Sequence, residues 1–498
     1  MQLWQNLPFF SVMLAIFSAA LCSVFPRRLA RVWVCAAVGA ILVMNIVLTG
    51  ILQGYGDYYT FPMGHYPAPW GNEIRIGLLE SVMACVFFVI MLLSLTGGRW
   101  RVNEDVQPAK QNLYCTVVCL LSAALLVMVY TNDLFTGYVF LEIMTLASCS
   151  LITARSKGRT LVAATRYMVM NLLGSGLFLL GVVILYDLTG HLLMSSIRGQ
   201  VELLAASGEY RLPLTMAIGL ISVGLAIKSG LFPFHTWLPD AYGYSTPSSA
   251  AMLSSLVSKG YIFLLIKIYC RVIGTDVVCS TGIHDILFAL GMAGTLMGSL
   301  SAIREKDIRR MISFSSVAQI GYIYMGIGLG TELGIRAAIF QMMAHGIAKS
   351  MLFLSATGLS YVSGESKHYR DLRGSGYRNP WAGVAFTVGA FSMTGIPFLG
   401  GFIVKVLLAE AAMQAGNVRM LAALLTMAAS AALNTVYFLK TVITLYRAPA
   451  EDAPVPEKKQ IPPHFCVTMC AMILLNIAMG VFSGPLITAI RTGLSIFG

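Results

Sequence analysis

Charge is what this chain has least of. Of its 498 residues, 11% are charged and 57% are hydrophobic. A soluble domain carries about 25% charged residues and is roughly 45–50% apolar. A soluble protein of this length would need surface side chains that this sequence lacks. That excludes a soluble globular enzyme, a disordered chain and a nucleic-acid binder. A polytopic, all-α membrane protein remains.

Ligands for metal or redox chemistry are also missing. The ten cysteines are scattered from Cys22 to Cys470, and none forms a Cys-x-x-Cys. Cys115/Cys119 and Cys466/Cys470 are spaced i,i+4 within apolar runs and read as small buried hydrophobes. Neither an iron–sulfur cluster nor a disulfide framework is expected. The sequence has no G-x-x-x-x-G-K-[ST], no G-x-G-x-x-G, no H-E-x-x-H and no supported Ser/His/Asp arrangement. No cofactor and no metal are expected, which places a self-contained redox enzyme low. A carrier of small organic solutes would need a substrate-shaped site that is not identifiable. No cleavable leader is evident either. The apolar stretch 7–25 runs into Arg27, Arg28 and Arg31, as a first span and its anchor would.

Long apolar runs are abundant. A bilayer core of about 30 Å needs about 20 apolar residues of helix. Fourteen such spans are expected, near 7–25, 32–51, 76–96, 113–131, 134–153, 160–186, 213–230, 246–270, 285–303, 309–329, 333–360, 381–405, 420–446 and 465–489. Two are broken. Span seven ends in Gly230-Leu231-Phe232-Pro233-Phe234, and span twelve contains Thr394-Gly395-Ile396-Pro397-Phe398. Such breaks persist in a membrane only where protein or water satisfies the freed backbone. Paired breaks at matching positions point to repeated halves. The two lie five spans apart, and five is odd, so the second copy is inverted. The expected organisation is a three-helix region 1–112, a five-helix repeat 113–271 (spans 4–8), its inverted copy 272–447 (spans 9–13) and a C-terminal helix 448–498.

Loop charges set the orientation. With these spans, 21 basic loop residues fall on one side, among them Arg27, Arg155, Lys157, Arg310, Arg370 and Lys458. The other side holds seven: Arg75, Arg198, Arg211, Arg271, Arg336, Arg419 and Arg491. The positive-inside rule makes the first side cytoplasmic and leaves both termini outside. It also accounts for the net charge of +12 without an acidic partner.

Six lysines then lie inside the membrane: Lys228, Lys259, Lys267, Lys349, Lys405 and Lys440. A charge at bilayer depth costs between about 3 and more than 10 kcal/mol, so each needs a reason. Lys267 and Lys440 are near helix ends and are expected to snorkel. The other four lie deeper. Glu142, in Phe140-Leu141-Glu142-Ile143-Met144, is the obvious deep carboxylate. Burial disfavours the charged form of either type, and pairing restores it, which is the physics of a proton relay. His345 and Lys349 are i,i+4 and share a helix face. His235 follows the first break, and histidine can pass a proton between its nitrogens. Asp240 is expected to cap the helix after that break. The alternatives are structural ion pairs for the lysines, a neutral Glu142 and hydrogen-bonded core histidines.

The stretch Lys228-Ser-Gly-Leu-Phe-Pro-Phe-His235-Thr-Trp-Leu-Pro-Asp240, followed by Thr246-Pro247 and Lys259, is the most specific feature. With Glu142, the His345-Gly-Ile-Ala-Lys349 run and Lys405 after Gly-Ile-Pro-Phe-Leu-Gly-Gly-Phe, it resembles the antiporter-like subunits of Mrp-type cation/proton antiporters, respiratory complex I and membrane-bound hydrogenases. The resemblance covers nearly the whole chain. It implies pairing of Glu142 with Lys228 and a central proton step at Lys259, His345 and Lys349. It also implies an outlet at Lys405 toward the outside or the next subunit, and modulation of Lys228 by His235. The segment 61–71 and Glu142-Ile-Met with Leu-Ala-Ser after it look most like the Mrp D subunit, with N- or M-type complex I subunits next. Lys rather than Glu at 405 is less like the M type. The implied function is a proton-translocating or cation/proton antiporting subunit of a multi-subunit complex in a bacterial or archaeal plasma membrane. Its partners would be other membrane subunits, and redox chemistry would belong to them. A scaffold subunit that no longer pumps is the alternative.

Overall fold

The computed structural model describes residues 3–63, 66, 71–155, 158–448 and 459–497. Much of the segment 61–71, together with Lys157 and Lys458, lies outside the described residues. The fold is helical, with one hairpin. Helices α1 (Leu7–Val24) and α2 (Arg27–Tyr55) come first, followed by the antiparallel strands β1 (Tyr59–Pro62) and β2 (Glu73–Ile76). Next are α3 (Leu78–Asp105), α4 (Gln111–Tyr130), α5 (Leu134–Thr153), α6 (Gly158–Thr189), α7 (Met194–Ser207) and α8 (Arg211–Ser229). After the first break come α9 (Leu238–Tyr244), α10 (Pro247–Met252), α11 (Ser258–Lys267) and α12 (Thr275–Ser280). The second half holds α13 (Ile283–Arg304), α14 (Ile308–Gly328), α15 (Glu332–Tyr361), α16 (Ser375–Arg378), α17 (Pro380–Thr394), α18 (Gly400–Gln414) and α19 (Asn417–Tyr446). Helices α20 (Pro463–Val481) and α21 (Ser483–Ser495) close the chain.

Helix starts follow local chemistry. Asp133 caps α5 by accepting the Thr136 amide at 2.6 Å. Asp307 caps α14 on the Arg309 and Arg310 amides, and Thr331 caps α15. Each cap satisfies amides that a helix start leaves unpaired.

Among the described residues, 12 helices are long and apolar enough to cross a membrane. Two of the fourteen expected crossings are not among them. Span twelve is divided into α17 and α18, of 15 residues each. Helix α14 carries Ser313, Ser315, Ser316, Gln319, Tyr322 and Tyr324 in its middle, and nearly all of it is buried in protein. Its polarity never meets lipid, so it needs no apolar surface. The last expected span also ends early. Helix α20 stops at Val481, and amphipathic α21 follows, with Ile490 and Gly493 buried and Gly493 set against Leu79. Residues 194–207, expected as loop, form α7, from which Arg198 donates to the Cys270 carbonyl at 3.3 Å.

The two breaks close identically. Gly230 (φ 80°) and Gly395 (φ 89°) are left-handed, a conformation open to glycine at little cost. In each, the next amide reaches back five residues: Leu231 to the Ala226 carbonyl and Ile396 to the Phe391 carbonyl, both at 3.0 Å. This is a Schellman closure, which satisfies carbonyls that a helix end would otherwise orphan.

Burial is uneven. The best apolar windows of 247–273 and 332–361 are 100% buried within the protein, whereas α2, α6 and α19 show wide apolar faces. The two spans with fully buried windows carry Lys259, His345 and Lys349. Close helix approach makes this core. A side chain at Gly224 would strike the Gly174 carbonyl, and one at Gly291 would strike the Met325 amide. Small residues let backbones meet this way in membrane helices. Both chain ends share one face with the hairpin. The Tyr59 hydroxyl donates to the Gln5 carbonyl at 3.2 Å, and Arg75 donates to the Ile496 carbonyl at 2.7 Å.

Candidate proton-transfer site

The site begins where α8 ends. Lys228 lies two residues before Gly230 and is fully buried. Its ammonium reaches across to α5, where Nζ lies 3.5 Å from Glu142 Oε1 and donates to Thr145 Oγ1 at 2.8 Å. Glu142 and Thr145 are three residues apart, so one lysine spans both from the facing helix. The Glu142 side chain is 28% exposed on the lateral surface. It is therefore not the wholly buried carboxylate that its apolar neighbours suggest. Thr145 also meets the Tyr261 hydroxyl at 3.1 Å, and the Tyr261 ring lies 5.4 Å from Lys228 Nζ.

Tyr261 leads to Lys259, two residues earlier on α11. Lys259 is fully buried. It donates to the Ser254 carbonyl and, at 3.2 Å, to Ser258 Oγ. Ser254 lies in a π-turn, Leu253–Val257, that interrupts the span just before the lysine. Single π-turns within α-helices are frequent at functional sites. Ser254 Oγ meets Ser316 Oγ of α14 at 3.2 Å, which joins the two halves of the chain.

Across that junction, Lys349 of α15 donates to the Ile312 carbonyl at 2.9 Å and to Ser315 Oγ. Ser316 donates to the same Ile312 carbonyl at 3.1 Å. His345 is fully buried, and Lys259 and Lys349 are its charged neighbours. Neither ring nitrogen of His345 has a hydrogen-bond partner among the described residues. Buried polar atoms are nearly always bonded, so two unmatched nitrogens set this imidazole apart from an ordinary core histidine. Lys405, on α18, folds back across the second break and donates to the Thr394 carbonyl, the last residue of α17. A cation suits a helix C-terminus. Phe398, in the same break, holds a left-handed φ of 69°, a strained conformation for an aromatic residue.

Glu142, Lys228, Lys259, His345, Lys349 and Lys405 thus lie on the five expected spans. Of the four deep lysines, Lys228 is the one with a described carboxylate within 4.0 Å. His235 is set apart. It stacks on Phe232 at 5.4 Å between ring centroids, and no hydrogen bond or ion pair joins it to Lys228. Asp240 does not cap α9. It accepts from Arg166 of α6 at 2.5 Å and from Arg310 of α14, tying both halves together. Lys267 does not snorkel. It is fully buried and donates to the Val129 and Thr131 carbonyls at 2.8 and 2.5 Å, closing the end of α4. Lys440 is exposed, as a snorkelling lysine would be.

Several residues had no place in the reading of the sequence. Thr145, Tyr261, Ser254, Ser315 and Ser316 supply the oxygens on which the lysines rest. Arg271 and Arg75 count as loop charges by position, yet both are buried. Arg271 pairs with Glu80. Glu80 is the one acid in the apolar opening of span three, and that signal could have found it.

Comparison with known proteins follows from this geometry. Residues 131–430 match the family described as "NADH:quinone oxidoreductase/Mrp antiporter, TM". The chain belongs to that family. It is 31% identical over 463 residues to the NADH-quinone oxidoreductase subunit N of Desulforudis audaxviator, covering 92% of this chain and 90% of that protein. It is 29% identical over 475 residues to the putative antiporter subunit mnhD2 of Staphylococcus aureus, covering 94% and 91%. Among solved structures, a chain of the Mrp complex from Dietzia sp. DQ12-45-1b has the same fold, with a TM-score of 0.88 at 24% identity over 99% of this chain and 97% of that one. Both relatives anticipated from the motifs, the D-type antiporter subunit and the N-type oxidoreductase subunit, are therefore found at similar identity.

Proposed function

We propose that this chain is a proton-translocating subunit of a multi-subunit membrane complex, with the row Glu142–Lys228–Lys259–His345–Lys349–Lys405 as its carrier. One observation carries this reading. Four lysines, on α8, α11, α15 and α18, rest on neutral oxygens, two of them in the spans with fully buried windows, and among the described residues only the first is ion-paired. A buried charge without a partner is costly, and unlike Lys267, which closes the end of α4 on two carbonyls, these lysines succeed one another across four separate spans.

The chemistry is a succession of short transfers. Attraction to Glu142 offsets the cost of burying the Lys228 charge. When that pair opens, Thr145 alone holds the ammonium and the proton moves on. Water at His345 links Lys259 to Lys349, and Lys405 delivers to the outside or to a neighbouring subunit. The five-helix units 113–271 and 272–447 would each contribute one broken helix to this cycle. His235 is left as a secondary modulator. The excess of basic loop residues on one side supports cytoplasmic loops there and outward termini in a plasma membrane. The names of the relatives support partners among other membrane subunits.

The test is transport in vesicles. Glu142→Ala or Lys228→Ala should abolish proton or Na⁺/H⁺ movement while the complex still assembles. Unchanged transport would remove the proposal. Assembly failure as the sole defect would favour a scaffold. The 31% relative named as an oxidoreductase subunit favours the N-type assembly as a second reading. Identifying the co-purifying subunits separates it from a free-standing antiporter.

A further inference from the structure

One groove lies on the outer side of α19, whose Phe438 ring is 6.0 Å from Lys349 Nζ of the row. It is about 750 Å³ and runs along the lateral face of α19 toward its C-terminal end. Arg370, Arg373, Lys440 and Arg447 line it, and none of the four is ion-paired to a described residue. The turn bearing the two arginines is fastened in place. The Tyr369 hydroxyl meets Thr441 of α19 at 3.2 Å, and the Tyr369 amide donates to the Lys306 carbonyl at 3.3 Å. Toward mid-membrane the groove turns apolar, with Val436, Leu439 and Ile443 exposed at 54%, 44% and 57%.

We propose that this groove binds an anionic phospholipid, with its phosphate on the four cations and an acyl chain along Val436, Leu439 and Ile443. The order of chemistries decides for a lipid. Cations cluster at the helix end, and a bare apolar stripe continues from them into the membrane, as headgroup and tail do. Basic pockets beside membrane helices on the cytoplasmic side take anionic headgroups. A volume of about 750 Å³ is within the usual range for ligand sites. Lys440 and Arg447 are seven residues apart, so the cations spread over roughly 10 Å of helix and can meet more than one phosphate.

The experiment uses the full chain in nanodiscs of phosphatidylcholine containing a small fraction of brominated phosphatidylglycerol or brominated cardiolipin. A reporter, Leu439→Trp, sits in the groove, and the same chain without it supplies the background fluorescence. The expected result is strong added quenching by either anionic lipid and little by brominated phosphatidylcholine at the same fraction. Arg370→Gln and Arg447→Gln should each weaken the anionic preference by roughly fivefold, because a cation near the surface contributes about 1 kcal/mol. Melting temperature confirms that these exposed-site variants fold. Equal quenching by neutral and anionic lipid would overturn the proposal. So would a preference that survives removal of all four cations. So would cross-linking in the intact complex that finds an acidic protein subunit seated there.

Discussion

The Glu142–Lys228 pair carries the sharpest prediction, because the structure sets its size. At 3.5 Å, two unit charges attract by about 5 kcal/mol at an effective dielectric near 20 and by about 1 kcal/mol in water. Lys228 is fully buried while the Glu142 side chain is 28% exposed, so the true figure lies between. We take about 2–3 kcal/mol, equivalent to roughly 30- to 150-fold in an equilibrium or a rate. If the cycle opens and closes this pair, Glu142→Gln should slow transport by that factor, and Lys228→Met should do so as well. The double variant should lose no more than the worse single one, because the second change removes an interaction already gone. The assay is proton uptake by inverted vesicles, followed with a pH-sensitive dye, with assembly checked on native gels. Transport within twofold of wild type in either assembled single variant would refute the reasoning. So would losses that multiply in the double variant.

Three further outcomes follow from other parts of the fold. Glu80→Ala should destabilise the protein by about 3–5 kcal/mol, because it strands the buried Arg271 guanidinium; Glu80→Ala with Arg271→Met should recover much of the loss in detergent melts. Gly401→Ala should prevent α18 from seating, since its Cβ would fall 1.8 Å from the Ser392 carbonyl; Gly39→Ala, with open space around it, is the control and should leave the melting temperature nearly unchanged. Lys367, in the loop after α15, is pushed down to about 7 by burial and then by Arg309, with Arg155 adding to the shift and Asp307 and Asp105 opposing it. The unfolded chain therefore holds this proton at pH values where the folded chain has released it, and stability rises with pH from about 7 to the ordinary lysine value near 10.4. Lys367→Met should raise the melting temperature more at pH 7 than at pH 9; equal shifts would contradict the assignment.

How much of this was legible in the sequence depends on which force placed each residue. The spans were legible because apolar runs near 20 residues have one physical reading in a bilayer. The breaks were legible because glycine and proline announce them, and the same helix closure recurs at Gly230 and Gly395. The lysines stood out because a charge in an apolar run needs a reason. Their anchors did not. Serine, threonine and tyrosine are common in membrane helices, and nothing local separates Thr145 or Ser316 from hydroxyls that merely bond their own helix. The π-turn before Lys259 was equally hidden, since Leu253–Val257 has no residue that forbids an ordinary turn. Lys267 and Asp240 were misread for a related reason. Position along a helix says how near a residue is to the end, not which carbonyls or guanidinium groups arrive there from elsewhere in the chain.

The contrast among the lysines bears on where control resides. Lys259, Lys349 and Lys405 rest on carbonyl and hydroxyl oxygens, which hold an ammonium without fixing its charge state as a carboxylate would. Among the described residues Lys228 alone of the four has a counter-ion, and that counter-ion lies on the partly exposed lateral face of α5. A neighbouring subunit or a change of hydration at Glu142 can therefore act on Lys228 without entering the core. Beyond Lys228, the route to the second half passes Thr145 and Tyr261 and reaches the Ser254–Ser316 contact. The serine bridge joins the two segments, but Lys259 and Lys349 each also donate to a backbone carbonyl beside it, and a carbonyl accepts without passing a proton on. In the proposed cycle that transfer would fall to water at His345, the buried imidazole whose two nitrogens have no partner among the described residues. In the proposed cycle one segment of the row would set geometry and another would move protons, and the Glu142–Lys228 pair at its lateral end is where an outside event would start the transfer.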